Sequence, residues 1–293
     1  MRASRKLRIR AAILKNMPKC LHRKIDGLLY KRAIGRRLDW NNLNAYTEKM
    51  QWSKFYDTTP IKTTLSDKYL VREWVAEKIG AEYLIPLLGV WDRFSEIDFD
   101  ALPDRFVLKT NHGSGSVIIV KDKSTFDKVD AGRRFDDWIN IDYAYATGYE
   151  LQYSGIKRKI IAEKYVETEL GELQDYKFLC FDGKPYFCWV DLGRFGKHTR
   201  NVYDLDWKLQ PWNQYTYGNS AAPIPKPKNF EKMIEIATVL CQGFSHVRVD
   251  LYNIEGKIYF GEMTFTNGCG FDRIIPDKYD FMLGELWKIR TTP

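Results

Sequence analysis

HVRVDLYNIEGKIYFGEMTF, residues 246–265, reads as two strands and a turn. The runs VRVDLY (247–252) and KIYFGEM (257–263) flank a turn from Asn253 to Gly256. One acid interrupts each run, Asp250 in the first and Glu262 in the second. A strand carboxylate facing a core is costly unless it is paired or metal-bound. Two carboxylates on neighbouring strands suit a divalent cation that bridges phosphate groups. Ion pairs, with Arg248 as a candidate partner, satisfy them as well, and spacing alone leaves both readings open.

Upstream, a Pro-rich linker AAPIPKPK (221–228) leads into a helix at about 229–242. YKFLCF (176–181) and PYFCWVD (185–191) are two strands joined by Asp182-Gly183-Lys184, a tight-turn signal. Lys177 stands among aromatics in DYKFLCF (175–181), where a lysine either snorkels to solvent or meets a buried anion. KIIAEKYV (159–166) is a buried strand running to an edge. FVLK (106–109) and VIIV (117–120) flank KTNHGSGS (109–116). There Gly113, Ser114, Gly115 and Ser116 can turn backbone N–H groups toward an anion, and Lys109 adds a point charge. This is not a P-loop, which places its lysine after the glycines and before a helix. Strands in hairpins with helices between them indicate an α+β architecture with antiparallel sheets.

Residues 5–37 look helical, broken at Pro18, with Leu21, Ile25, Leu28 and Leu29 on one face. Thr47 is the expected cap of the next helix, and a further helix is expected at about 66–79, from Ser66 to Gly80. Residues 1–37 hold 13 Lys and Arg against one acid, Asp26, a net +12; since the whole chain is +8, the remainder sums to −4. Such a segment attracts a polyanion or an anionic membrane surface, or is a solvated arm. It lacks the interleaved aromatics that stack on bases, so no nucleic-acid partner is expected. No window approaches the roughly 18 apolar residues of a transmembrane helix, and the run from Ala11 to Leu14 is too short for a signal peptide. Five cysteines, odd in number and without a CxxC pair, argue against a zinc site or a disulfide framework and fit reduced cytoplasm. The four histidines are scattered.

Taken in order, the segments TEKMQW (47–52), DKYLVREWV (67–75), LPDRFVLKTNHGSG (102–115), IIAEKYVE (160–167), DYKFLCFDGKP (175–185), NVYDLDW (201–207), VRVDLY (247–252) and GEMTFTNGCG (261–270) resemble a known family. It is the TupA-like branch of the ATP-grasp fold, named for teichuronopeptide biosynthesis. The resemblance implies two antiparallel-sheet subdomains sandwiching ATP. Residues 1–60 would be a basic helical segment and 61–105 a helical region before the grasp. Residues 106–293 would be the ATP-grasp domain, split into a lid (106–165) and a C-terminal subdomain (166–293). Lys109 is similar to the strand lysine that holds ATP phosphates, and the 111–116 turn to the lid over them. Glu163-Lys164-Tyr165-Val166 resembles the hinge that reads the adenine edge, with Glu167 or a nearby acid for the ribose. Lys68 and Lys177 resemble further nucleotide-facing lysines. Asp250 and Glu262 match the magnesium carboxylates, and Arg248 the arginine that steadies an acyl-phosphate. Gly268 lies where related ligases offer a backbone N–H to an oxyanion. The family's usual Glu-x-Asn is here Glu262-Met263-Thr264, so Thr264, or Asn267 in its place, is the expected further ligand.

The implied activity is ADP-forming ligation of a carboxylate to an amine, with Mg²⁺ and ATP. The implied substrates are an amino acid and a uronic acid of a bacterial cell-surface polysaccharide of the capsule, O-antigen or teichuronic type. The setting would be cytoplasmic, with the basic arm holding an acidic glycan or lipid-linked precursor at the inner membrane face. Arg194, Lys197, His198 and Arg200 form a second basic cluster suited to an acidic substrate or to a solvated loop. Three other readings remain: an amino-acid-polymer (polyglutamate-type) ligase, a non-catalytic ATP-binding scaffold, and a glycosyltransferase using the D-x-D triplet Asp204-Leu205-Asp206. His112 is expected to face water, Cys180 and Cys188 to lie in the core, and Trp138 and Trp189 to be packing anchors. Trp207 is equally a packing anchor or a sugar platform. Tyr143, Tyr145 and Tyr149 are a secondary candidate lining for an acceptor groove.

Overall fold

A computed structural model describes residues 2–168, 174–193 and 198–289. Helices α1 (Arg2–Asn16) and α2 (Lys19–Ile34) are separated at Pro18, whose ring cannot continue the first helix. Helix α3 (Tyr46–Tyr56) is capped by Glu48, whose carboxylate accepts from the Asn44 and Ala45 N–H groups at 2.9 and 3.0 Å. The expected cap, Thr47, instead gives its hydroxyl to Asp280 at 2.7 Å. Of the helix expected over 66–79 only α5 (Val71–Ile79) is present, and Ser66, its expected opening residue, instead closes a first piece, α4 (Pro60–Ser66). Asp67 ends the first piece by accepting from the Tyr69 and Leu70 N–H groups.

Strand β1 (Leu87–Trp91), which the sequence did not signal, joins β2 (Phe106–Thr110), β3 (Val117–Val120) and β4 (Ile160–Lys164) in an antiparallel sheet of order β1-β4-β2-β3. Its membership carries that sheet back to residue 87, before the 106–165 stretch. Helices α6 (Lys128–Ile139) and α7 (Tyr143–Ala146) lie between β3 and β4 in the chain. Asp127 caps α6, and Phe135 of that helix packs on Phe106, Leu108, Ile160 and Ala162 of the sheet.

Strands β5 (Asp175–Phe181), β6 (Lys184–Leu192), β7 (Thr199–Asp204), β9 (His246–Ile254) and β10 (Lys257–Thr264) form a second antiparallel sheet of order β10-β9-β5-β6-β7. Short β8 (Asn213–Gln214) and β11 (Ile274–Ile275) pair beside it. Helix α8 (Phe230–Leu240) presents Phe230, Met233, Ala237 and Leu240 at helical spacing to Phe178, Cys188, Val190, Val249 and Leu251 on one sheet face. Helix α9 (Lys278–Leu286) packs on the other face with α3, where Tyr46 and Leu283 meet Leu179, Phe181 and Trp189. Cys180 and Cys188 are core, as are Trp189 and the half-buried Trp138.

The N-terminal helices are docked, not free. Ala11 and Leu14 are buried, Arg10 donates to the Thr147 carbonyl at 2.7 Å, and Lys15 meets Asp142 at 2.9 Å. From α2, Asp26 is fully buried 2.7 Å from the equally buried Lys54.

His246 sits on the α3 side of the large sheet, with Nδ1 2.9 Å from the Cys180 carbonyl and Nε2 3.1 Å from the Tyr46 hydroxyl. Burial holds its imidazole down at about 3, against an ordinary 6.5. Unfolded, it takes up a proton below 6.5; folded, it stays neutral until about 3. Its contribution is therefore complete above 6.5 and lost as pH falls. In urea titrations the stability gap between the parent and His246→Gln is expected to narrow by about 1.4 kcal/mol for each pH unit below that value. A pH-independent gap would refute a neutral buried His246.

Candidate active site

Strand register puts charged residues in a row across one face of the large sheet. Glu262 is opposite Asp250, Asp250 opposite Lys177, Asp175 opposite Asp191, and Asp191 opposite Arg200. Alternation along each strand sends their neighbours Tyr176, Phe178, Val249 and Leu251 to the α8 side. Glu262 reaches the charged face through a bulge. Ile258 and Phe260 face the core, and so do Met263 and Phe265, because Gly261 adds one residue to β10. Without it, Glu262 would point into the core with Phe260. A side chain at Gly261 would meet the Asp250 carbonyl at 3.0 Å.

These charges satisfy one another. Arg248 donates from Nε and Nη2 to the two Asp250 oxygens, at 2.6 Å each, and from Nη2 to Glu262 at 3.1 Å and Thr264 at 3.0 Å. Lys177 Nζ donates to Asp175 at 2.5 Å and to Asp250 at 2.8 Å. Burial pushes the Asp250 carboxyl up, and Arg248 and Lys177 pull against it. Burial likewise opposes the Lys177 ammonium, and Asp175 and Asp250 outweigh it, so its pKa is raised. At the far end, Arg200 grips Asp191 through Nε at 2.5 Å and Nη2 at 2.6 Å, bonds Gln214, and lies over the Trp189 and Tyr217 rings. Burial opposes the Asp191 charge, but Arg200, then Lys177 and His198, hold its carboxyl down at about 2.

The smaller sheet supplies the opposite wall. Lys109 on β2 is 2.6 Å from Glu163 on β4, and Arg72 of α5 is 3.3 Å from the other Glu163 oxygen. Lys68 links the walls: its Nζ donates to the Gly113 carbonyl at 2.6 Å and lies 3.6 Å from Glu262. Between the sheets is a cavity of about 390 Å³. Lys68, Lys109, residues 113–116, residues 163–166, Asp175, Asp250, Tyr252 and Glu262 line it. The glycine turn needs left-handed backbone at Gly113 (φ 70°) and Gly115 (φ 79°). Tyr143 braces it, donating its hydroxyl to the Ser114 carbonyl at 2.5 Å and lying 3.2 Å from Ser116 Oγ. A Cβ on Gly113 would fall within the Tyr143 ring, whereas one on Gly115 would meet nothing within 4 Å.

Several expected residues lie elsewhere. Lys177 and Arg248 are not on the cavity wall but bond acids that are. Glu167 is exposed and paired with Arg105. Gly268 (φ 58°) faces the Asp272 side chain, and Asn267 Oδ1 accepts from Tyr46 at 2.6 Å. His198 Nε2 is 3.4 Å from Asp191 at the end of the row. Arg194 and Lys197 fall outside the described residues. His112, expected in water, is buried: its ring meets Tyr143 edge-on and its Nε2 is 3.2 Å from the Ile141 carbonyl. Burial holds that imidazole down at about 3. Of the tyrosine group, Tyr143 braces the turn and Tyr149 stacks on His22 at 4.5 Å, so neither lines an open groove. Trp207 stacks on Tyr203 at 4.3 Å as packing. Asp204 of the D-x-D triplet accepts from the Asp206 and Lys208 N–H groups and closes a turn.

Asp175, Asp191 and Arg72 were not singled out from the sequence. The two acids carry the signal that exposed Asp250 and Glu262, a carboxylate within an apolar strand. Arg72 has none, since only tertiary contact brings α5 to Glu163. Among the described residues no three of His, Cys, Asp and Glu converge as a self-sufficient metal site. Asp250 and Glu262 offer hard oxygen donors at a cavity wall, and Thr264, off the wall, donates its hydroxyl to Glu262 at 3.0 Å. That set fits Mg²⁺ completing its shell with phosphate and water oxygens.

A family model for TupA-like ATP-grasp proteins matches residues 48–288. The chain belongs to the TupA-like ATP-grasp family. Among solved structures, the D-alanine–D-alanine ligase of Bacillus anthracis is 17% identical, with the match covering 76% of this chain and 67% of the ligase at a TM-score of 0.41. The D-alanine–D-alanine ligase of Helicobacter pylori is 13% identical, covering 84% and 70% at 0.41. N5-carboxyaminoimidazole ribonucleotide synthetase of Thermus thermophilus is 12% identical, covering 69% and 45% at 0.40. These likenesses are distant. No curated protein matches the chain. The α+β architecture of two antiparallel sheets is that of an ATP-grasp protein.

Left-handed backbone costs an L-residue roughly 1–2 kcal/mol. Gly113→Ala adds a clash with Tyr143 to that cost and is expected to weaken ATP binding by well over about tenfold in calorimetry. Gly115→Ala, with open space around its Cβ, is expected to cost about tenfold or less. Equal effects of the two substitutions would refute a turn shaped by Tyr143.

Proposed function

We propose that this protein is an ATP-dependent ligase that joins a carboxylate to an amine through an acyl-phosphate. The observation that carries this reading is the cavity between the two sheets, which places Lys68, Lys109 and a glycine turn over an acidic row held by Arg248 and Lys177. In this reading ATP is a substrate. The backbone of residues 163–166 reads its adenine edge, and Lys68, Lys109 and the 113–116 N–H groups hold its phosphates. Asp250 and Glu262, assisted by Thr264, would hold Mg²⁺, which neutralises phosphate charge when bound.

The acid substrate's carboxylate oxygen attacks the γ-phosphorus, and ADP departs with the electrons of the broken P–O bond. An amine then attacks the acyl carbon, loses a proton, and expels phosphate to leave an amide. Because the protein does little covalent chemistry, its work is positioning and charge stabilisation. Arg248 keeps Asp250 and Glu262 aimed at the cavity. Arg200 is buried against Asp191, so its proposed part in acidic-substrate binding is to set that end of the row.

The substrates proposed are a uronic acid of a bacterial cell-surface polysaccharide and an amino acid, with reaction in the cytoplasm where ATP is supplied. The support is the family's association with teichuronopeptide-type polymers and the chain's basic surface. Purified protein with Mg-ATP, uronic-acid oligosaccharides and an amino-acid panel is expected to yield products heavier by one amino acid minus water, with ADP formed in step. Glu262→Gln is expected to lower that rate by at least about a hundredfold. No mass shift and no acceptor-stimulated ADP release with any amino acid would refute the proposed substrates. Amino-acid oligomers in place of glycan conjugates would mark an amino-acid-polymer ligase.

A further inference from the structure

Docking of α1 and α2 onto the body leaves one face of each helix outward, and both faces have an apolar centre. On α1, Ile9 and Ile13 lie one turn apart and are each 52% exposed. On α2, Leu21 and Leu28 lie two turns apart and are 37% and 68% exposed. At about 100° per residue, Arg5 and Lys6 fall within about 60° of Ile9, and Lys24, Lys31 and Arg32 within about 60° of Leu28. All five are exposed. The opposite faces are spent on the protein: Ala11 packs with Tyr143 and Ala146, and His22, Asp26, Tyr30 and Ile34 are buried.

A basic face alone suits any polyanion. Aliphatic side chains at the centre of such a face add nothing to binding a hydroxyl-rich, charged glycan. They match a lipid bilayer, where headgroups take the Lys and Arg while Ile and Leu enter the acyl boundary. Beside Ile9 the surface dips into a groove of about 870 Å³ lined by Arg5, Arg8, Lys15 and Arg158, with Asp137 and Asp142 neutralising part of that charge. Charge segregation sets the orientation, because the +12 arm is drawn to an anionic surface and the −4 remainder is repelled. Among the described residues no helix is long and apolar enough to cross a membrane, so the contact lies in the interface plane.

We propose that the outward faces of α1 and α2 dock the protein on an anionic lipid bilayer through Ile9, Ile13, Leu21 and Leu28 within a ring of Lys and Arg. This binding stands apart from the ligase chemistry and is read without it. The test is co-sedimentation of the full chain with phosphatidylcholine vesicles, with and without phosphatidylglycerol. Binding is expected with the anionic vesicles only. Ile9→Ser/Ile13→Ser/Leu28→Ser, which leaves charge unchanged, is expected to weaken it by at least about tenfold. Lys24→Gln and Lys31→Gln are each expected to weaken it by about fivefold. All five positions are exposed, so thermal melts of the variants should match the parent. Failure to bind anionic vesicles overturns the proposal. Undiminished binding by the triple variant also overturns it, because the face would then be a purely ionic polyanion surface.

Discussion

The Asp250 carboxylate, shared between Arg248 and Lys177 in the middle of the large sheet, is the constraint on which the rest of the site depends. An ion that deep is tolerable only if every charge around it is also answered. The answer spreads sideways: Lys177 needs Asp175, Arg248 needs Glu262, and Asp191 needs Arg200. Antiparallel pairing makes this possible, since directly opposed residues share a face and alternate residues return to the α8 core. The cations of the row are thus placed by acids, and the acids at the cavity wall are held at fixed positions by cations. The charged groups at the cavity wall are thus held in place by the fold itself.

The opposite wall depends on the helices. Tyr143 of α7 fixes the glycine turn, and α1 packs against α7 through Ala11 and the Arg10 bond to Thr147. Helix α3 steadies the chain that follows Glu262. Tyr46 reaches Asn267, Gln51 reaches the Gly270 carbonyl, and Lys54 reaches the Cys269 carbonyl. Cys269 has a left-handed φ of 56° between two glycines that share that conformation. A β-carbon there is strained, and the buried Lys54–Asp26 pair helps fix the surroundings that impose it. The basic N-terminal segment is therefore part of the scaffold as well as a surface.

Much of this was legible in the chain. Apolar runs with period two, turn signals at Asp182-Gly183 and Asn253–Gly256, and acids inside strands pointed to the antiparallel hairpins and to the residues Asp250, Glu262, Lys109 and Lys177. Those signals are local, because strand alternation and turn chemistry act within a few residues. The bulge at Gly261 was not legible. Its effect, swinging Glu262 out of the core, exists only when β9 provides a register to slip against. Nor was His112 legible as buried, because a turn histidine meets Tyr143 and Ile141 only after α6 and α7 return over the sheet.

The sequence by itself determined most of the element types, the local antiparallel hairpins and the identity of the chemical groups, since these follow from side-chain chemistry and short-range periodicity. Only the tertiary structure decided which charges share one face, that Lys177 and Arg248 stand behind the acids at the cavity wall, and that Arg72 reaches Glu163. Only it showed that the basic helices turn Ile9, Ile13 and Leu28 outward. The physical reason is that burial and pairing are properties of residues distant in sequence, fixed when two sheets and their helices close on one another.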